Sequence, residues 1–312
     1  MNIRSTTICC LAMYCVAFAI NVAKASTLGD VQRQLFPDRA KILQVNNASV
    51  PMIESQNTTA NLNGVAILVG ESGRSPVSQQ NLAMLTTYLN DLGWVTMQIS
   101  PPTIGFEPDL PDAASREVNE QSTESPNAES TSTATTENQS SGQTEQQAQA
   151  KKETPPSSPQ YQVHSISNAH FLVHEQQLRE LMQVTMQRAQ TYSGFRLIIA
   201  QGSSAAWLIK IYAEKQIPIP DAMVAISAFW PQRNLNSLIA NYTANTEMPM
   251  LDIYSQQDNN WSLISASERG STASKNLKLD YRQRQLTSAF NTQTDSAFLS
   301  KEIYGWLHYL GW

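Results

Sequence analysis

Residues 196–207 (RLIIAQGSSAAW) are the part of the chain best able to do chemistry. An apolar run breaks at Gly202, and small residues then lead into a helical pattern. Read as G-x-S-x-A, the run sets Ser204 in a tight strand-to-helix turn of the kind that lifts a nucleophilic serine above a sheet. The usual form of that motif is G-x-S-x-G. Ser203 is a rival, because one residue of slip in the turn exchanges the two. The plain alternative is that Ser203, Ser204 and Ala205 are small residues at a crowded corner.

A serine hydroxyl attacks well only when a neighbouring base takes its proton. In the order expected after such a turn, the acid comes next and the histidine last. Asp258 fits the acid; it follows the apolar run 250–254 by four residues. Asp258-Asn-Asn260 also reads as an ordinary polar turn. The only later histidine is His308, which sits within a helical pattern beside Trp306, Leu307, Tyr309 and Leu310. Such a histidine also suits simple packing. His164, His170 and His174 precede the turn, and a base could instead come from residues 160–175. The backbone N–H of Ala205, and one near Glu71 or Ser72, would serve as oxyanion donors.

Other chemistries find little support. His164, His170 and His174 are spaced by six and four with only Glu175 nearby, short of a zinc pattern. Neither a Walker A motif nor G-x-G-x-x-G occurs, so no nucleotide is expected. No cofactor and no metal are expected. Tyr304, Trp306, Tyr309 and Trp312 could stack on a sugar, but their helical spacing favours the core.

The net charge is −5, and residues 107–160 alone carry ten acids against Arg116, Lys151 and Lys152. The acidity therefore belongs to one segment and not to a binding face. No basic stripe points to nucleic acid. Residues 1–25 have export-signal character: Arg4, an apolar stretch over 8–20, and Ala23-Lys-Ala25 as a small-x-small cleavage site. That stretch falls short of the roughly 20 residues a membrane-spanning helix needs. The three cysteines, Cys9, Cys10 and Cys15, all lie in this leader, so a cleaved chain would hold no thiol or disulfide. An exported, periplasmic location is expected.

The elements that must position these residues alternate. A hairpin is expected from strands over 40–45 and 50–54, turning at Asn46-Asn-Ala-Ser49. Residues 64–70 form a continuous apolar run, as in a strand buried on both faces. A helix over 78–92 ends at Gly93 and leads to a strand over 94–99. Residues 108–160 are almost without Ile, Leu, Val and aromatic side chains and read as a disordered low-complexity insertion. Beyond it come a helix over 170–191, a strand over 195–200, a helix over 204–215 and a strand over 222–227. Then follow a short helix over 235–242, a strand over 250–254, a helix over 263–274, a strand within 277–286 and a final helix over 298–310. Alternation of this kind predicts a doubly wound, mostly parallel α/β sheet with helices on both faces. One domain is thus split by the insertion into 26–107 and 161–312.

At this level the chain resembles a family of exported α/β-hydrolase-like proteins of Gram-negative bacteria, catalogued as a domain of unknown function. The matching stretches are Gly64-Val-Ala-Ile-Leu-Val-Gly70, Leu92-Gly-Trp-Val-Thr-Met97, Gly202-Ser-Ser-Ala-Ala206, Pro249-Met-Leu-Asp-Ile-Tyr254, Tyr281-Arg-Gln-Arg284 and Gly305-Trp-Leu307. The resemblance implies an α/β-hydrolase-like fold and export, and brings no activity with it.

Two readings follow. In one, the chain is a serine esterase or acyl hydrolase using Ser204, Asp258 and His308 on a small ester-like ligand. In the other, it is a non-catalytic envelope protein that binds a ligand or partner on the same scaffold.

Overall fold

The computed structural model describes residues 36–72, 82–102, 168–287 and 293–312. All belong to one unit, formed by 1–104 together with 168–312. The expected insertion, the expected leader, His164 and the start of the expected 78–92 helix lie outside the described residues.

Among the described residues eight strands form one sheet in the order β1-β2-β4-β3-β5-β6-β7-β8. Strands β1 (Ala40–Val45) and β2 (Ala48–Ser55) make an antiparallel hairpin, and β2 also runs antiparallel to β4. The other strands are parallel: β3 (Gly64–Val69), β4 (Trp94–Ile99), β5 (Phe195–Gln201), β6 (Ala222–Ile226), β7 (Met250–Ser255) and β8 (Tyr281–Leu286). The hairpin closes through Asn46 and Asn47 alone, because Ala48 pairs with Val45 and Ser49 with Gln44. Asn46 takes the left-handed conformation (φ 52°) that a two-residue loop needs. The turn is therefore shorter than the sequence suggests, and β2 longer.

Helix α1 (Leu85–Asp91) follows a 3₁₀ turn over Leu82–Met84. Helices α2 (Asn168–Ala189), α3 (Gly202–Ala213), α4 (Arg233–Asn236), α5 (Ile239–Asn245), α6 (Asn260–Lys275) and α7 (Gln293–Tyr309) come after the insertion. The expected helix over 235–242 is thus two short ones. The Asn236 side chain accepts from Trp230 N–H at 2.9 Å and donates to the Trp261 carbonyl at 2.9 Å, fixing the chain where α4 ends. The last strand starts only at Tyr281, because Leu277 turns left-handed (φ 55°) just beyond α6. Gly93 (φ 88°) ends the first crossover helix as its position predicts.

Strand β3 is buried along its whole length, as its unbroken apolar run demands. Successive side chains point to opposite faces. Ala66, Leu68, Leu197, Ile199, Val224 and Leu251 meet Leu85 and Leu89 of α1 and Ile303 and Trp306 of α7. Val65, Ile67, Ile198 and Ala200, equally buried, face the other way. There α3 packs on α5, α5 on α6, and α2 on both α3 and β1. This division follows from right-handed crossovers. The step from β3 to β4 runs one way along the sheet, and every later step runs the other way.

Candidate functional site

Strand order reverses between β3 and β5, and the crevice beyond the carboxyl ends of strands at such a point is where open α/β sheets bind ligands. The residues leaving β3 there are Gly70, Glu71 and Ser72; those leaving β5 are Gln201 and Gly202. Gly202 is where strand becomes helix, and its φ is +62°. A Cβ built on Gly202 would stand 2.9 Å from Glu71 Cγ and 3.1 Å from Glu71 Oε1. Glu71 therefore lies over the elbow.

Helix α3 begins without a side-chain cap, since Gln201 at its N-cap makes no such bond. The N–H groups of Gly202, Ser203 and Ser204 have no partner within the helix. A carboxylate close to them is electrostatically favoured by the helix dipole. Ser72 donates to the Pro102 carbonyl at 2.7 Å, tying the loop after β3 to the loop after β4.

The structure does not bring Ser204, Asp258 and His308 into hydrogen-bond contact. Ser204 lies in the first turn of α3 with no exposed surface, and its Oγ has no partner among the described residues. Ser203 is also buried, and Ala205 lies wholly inside the helix turn, where the Gln201 carbonyl takes its N–H. Asp258 serves its own loop: its Oδ2 accepts from Ser255 N–H at 2.9 Å and from Ser262 Oγ at 3.3 Å. Next to it Asn259 caps α6 by accepting from Ser262 N–H at 3.0 Å. His308 is exposed on α7 and stacks on Tyr304, with ring centroids 6.2 Å apart. Helix α7 covers the face of the sheet opposite to α3.

Another histidine does approach the elbow helix. His174 of α2 is 2 % exposed and packs on Trp207 of α3, ring centroids 5.8 Å apart. Both its ring nitrogens lack partners among the described residues, and burial pushes its pKa down to about 4. Trp207 also meets Phe171 at 5.5 Å and Trp230 at 5.0 Å. Trp230 belongs to the loop after β6. That loop is pinned by Arg269, which donates to the Ala228 carbonyl at 3.0 Å and pairs with Asp252 through two hydrogen bonds of 2.7 and 3.0 Å. Asp252 also accepts from Tyr281 at 2.6 Å and Gln283 at 2.9 Å.

Sequence reasoning missed this network, since Asp252 stands on β7, Arg269 on α6 and Tyr281 and Gln283 on β8, and nothing in their spacing says that they meet. It also missed Ser227, a left-handed residue (φ 52°) at the end of β6 whose hydroxyl is buried without a partner among the described residues. Among those residues no three His, Cys, Asp or Glu side chains gather as a metal site requires. None of their helices is long and apolar enough to cross a membrane.

A mostly parallel eight-stranded sheet with a sharp elbow after β5 defines an α/β-hydrolase-like protein. The fold is similar to that of an α/β serine hydrolase without a lid from Xanthomonas campestris, with 10 % identity, TM-score 0.51, and coverage of 87 % of this chain and 94 % of that one. It is also similar to a lipase/esterase from Lactobacillus plantarum, with 8 % identity, TM-score 0.50, and coverage of 87 % and 97 %. At such identities the likeness is one of fold. The chain belongs to the family described as protein of unknown function DUF3530, which it matches over residues 19–309. No curated protein matches it.

Proposed function

We propose that this protein is a non-catalytic binding protein on an α/β-hydrolase scaffold. The observation that carries the reading is the glycine at the elbow. In hydrolases of this fold the nucleophile sits on the strained residue between strand and helix. Here the left-handed residue at that point is Gly202, which has no side chain, and Glu71 lies where one would project. Ser204 is two residues too far into the helix, and fully buried. The donor that follows the elbow residue would be Ser203 N–H instead of Ala205 N–H. A carboxylate at the start of α3 would also oppose the oxyanion that acyl transfer develops there.

The binding target on this reading is a small molecule or an envelope partner. Export is supported by the leader, with Arg4, the apolar stretch and Ala23-Lys-Ala25.

The test is to expose the full-length protein, expressed with its leader, to a fluorophosphonate probe and to a p-nitrophenyl ester. We expect no labelled serine and no turnover. Labelling of Ser203 or Ser204 that tracks ester turnover would overturn the reading in favour of a serine hydrolase. Sequencing the N-terminus of the mature protein should begin at Ser26; retention of Met1 in the secreted fraction would contradict cleavage.

A further inference from the structure

We propose that the cavity between the β1–β2 hairpin, the end of β4 and helix α2 binds a small, uncharged, mainly apolar molecule carrying one hydrogen-bonding group. This deepens the binding reading above, and rests on it only in taking binding, not turnover, as the protein's work.

The cavity is about 570 Å³, within the range of small-molecule sites. Its lining surface is mainly apolar, with Val45, Val50, Pro51, Pro102 and Leu181 among the residues that form it. It opens at the carboxyl end of β4, beside the loop that Ser72 ties down. Of the polar residues that also line it, Ser100 and Glu180 behave differently from one another.

Ser100, the residue after β4, lines the cavity, and its Oγ is buried without a hydrogen-bond partner among the described residues. A buried hydroxyl with no partner carries a desolvation cost that no hydrogen bond offsets. A rotamer change that turns this hydroxyl into the cavity would let a ligand N–H, O–H or carbonyl recover that cost. Because a hydroxyl both donates and accepts, either type of group fits.

Glu180 also lines the cavity, from helix α2. Its two carboxylate oxygens are held separately, Oε2 by Asn46 Nδ2 at 2.7 Å and Oε1 by Gln176 Nε2 at 3.0 Å. The first bond joins the hairpin tip to α2, so it also sets the width of the opening. Both partners are neutral, so the carboxylate's negative charge stays uncompensated by them. An anionic ligand, such as a fatty carboxylate, is repelled. These features together select a neutral molecule over an acid of the same shape.

The test uses the full-length protein and N-phenyl-1-naphthylamine, a neutral, mostly apolar fluorophore with a single N–H. Saturable fluorescence enhancement is expected from the native chain. Ala48→Trp, at an exposed position on the cavity rim where a strand tolerates an aromatic residue, should weaken binding at least tenfold with an unchanged melting temperature. Ser100→Ala should weaken it a few-fold. The sulfonated analogue 8-anilinonaphthalene-1-sulfonate should bind more weakly than the neutral probe, and Glu180→Gln should narrow that difference. Absence of saturable binding, full retention of affinity in folded Ala48→Trp, or tighter binding of the sulfonate would each overturn the proposal. Serine labelling by fluorophosphonate would sink the non-catalytic reading without touching probe binding, so the two failures are distinguishable.

Discussion

Glu71 covers Gly202: the nearest approach of its side chain to a Cβ built on that glycine is 2.9 Å. Two residues that follow separate strands thus share one place at the reversal of strand order, one by lacking a side chain and the other by supplying it.

The pair can be tested by replacing both members. Gly202→Ala should destabilise the protein by about 1–2 kcal/mol through the left-handed backbone alone. Displacing Glu71 adds to that. Glu71→Ala should relieve only the second part, so the double variant should be more stable than the sum of the single losses predicts. Urea unfolding of the four proteins measures this. Strict additivity would show that the two side chains do not compete for the space.

Ser204→Ala separates a structural serine from a catalytic one. Its hydroxyl is fully buried and unpartnered among the described residues. Removing such a group relieves a desolvation cost, so stability should hold or rise by up to about 1 kcal/mol. A loss of more than that in a chemical denaturation series would reveal a hydrogen bond that Ser204 makes in solution.

His174 should make the fold sensitive to acid. Burial holds its pKa at about 4, below the usual value of 6.5, so between these values the unfolded chain binds a proton that the folded chain refuses. Stability is therefore full above pH 6.5 and falls as the pH drops towards 4. The loss approaches about 3 kcal/mol at the lower end. In His174→Leu this part of the slope should vanish. Unfolding midpoints at pH 7 and 4.5 decide it; an equal acid loss in both proteins would assign the effect to other groups.

The buried pair Asp252–Arg269 should resist single replacements. Among the described residues Arg269→Met leaves a buried carboxylate with only Tyr281 and Gln283, and should cost about 3–5 kcal/mol. Adding Asp252→Leu should restore much of the loss, because an apolar pair carries no uncompensated charge. Equal destabilisation by the single and double variants, measured by urea unfolding, would mean that shape and not charge is at stake.

The sheet was readable from the chain because burial on both faces leaves unbroken apolar runs, such as residues 64–69. The elbow was readable as a place but not in register. Ala200, Gly202, Ser203, Ser204, Ala205 and Ala206 are all small, so residue type alone lets the motif slide. What fixes it is the single positive φ at Gly202, a backbone property that a pattern of small residues does not encode. Asp258 and His308 had the right order along the chain, yet local chemistry claims both, a turn for the first and an exposed helix face for the second. The cavity beneath the hairpin left no trace at all. Its walls come from a turn, a strand end and a helix far apart in sequence, and apolar residues at each are unremarkable by themselves.

The contact between Trp207 and Trp230 also gives the molecule a gauge of its own. Two indoles with centroids 5.0 Å apart and planes inclined at 64° couple their electronic transitions. Their signature in near-ultraviolet circular dichroism depends on helix α3 and the loop after β6 staying in register. Any event that shifts the elbow helix against that loop can therefore be followed optically in the unlabelled protein.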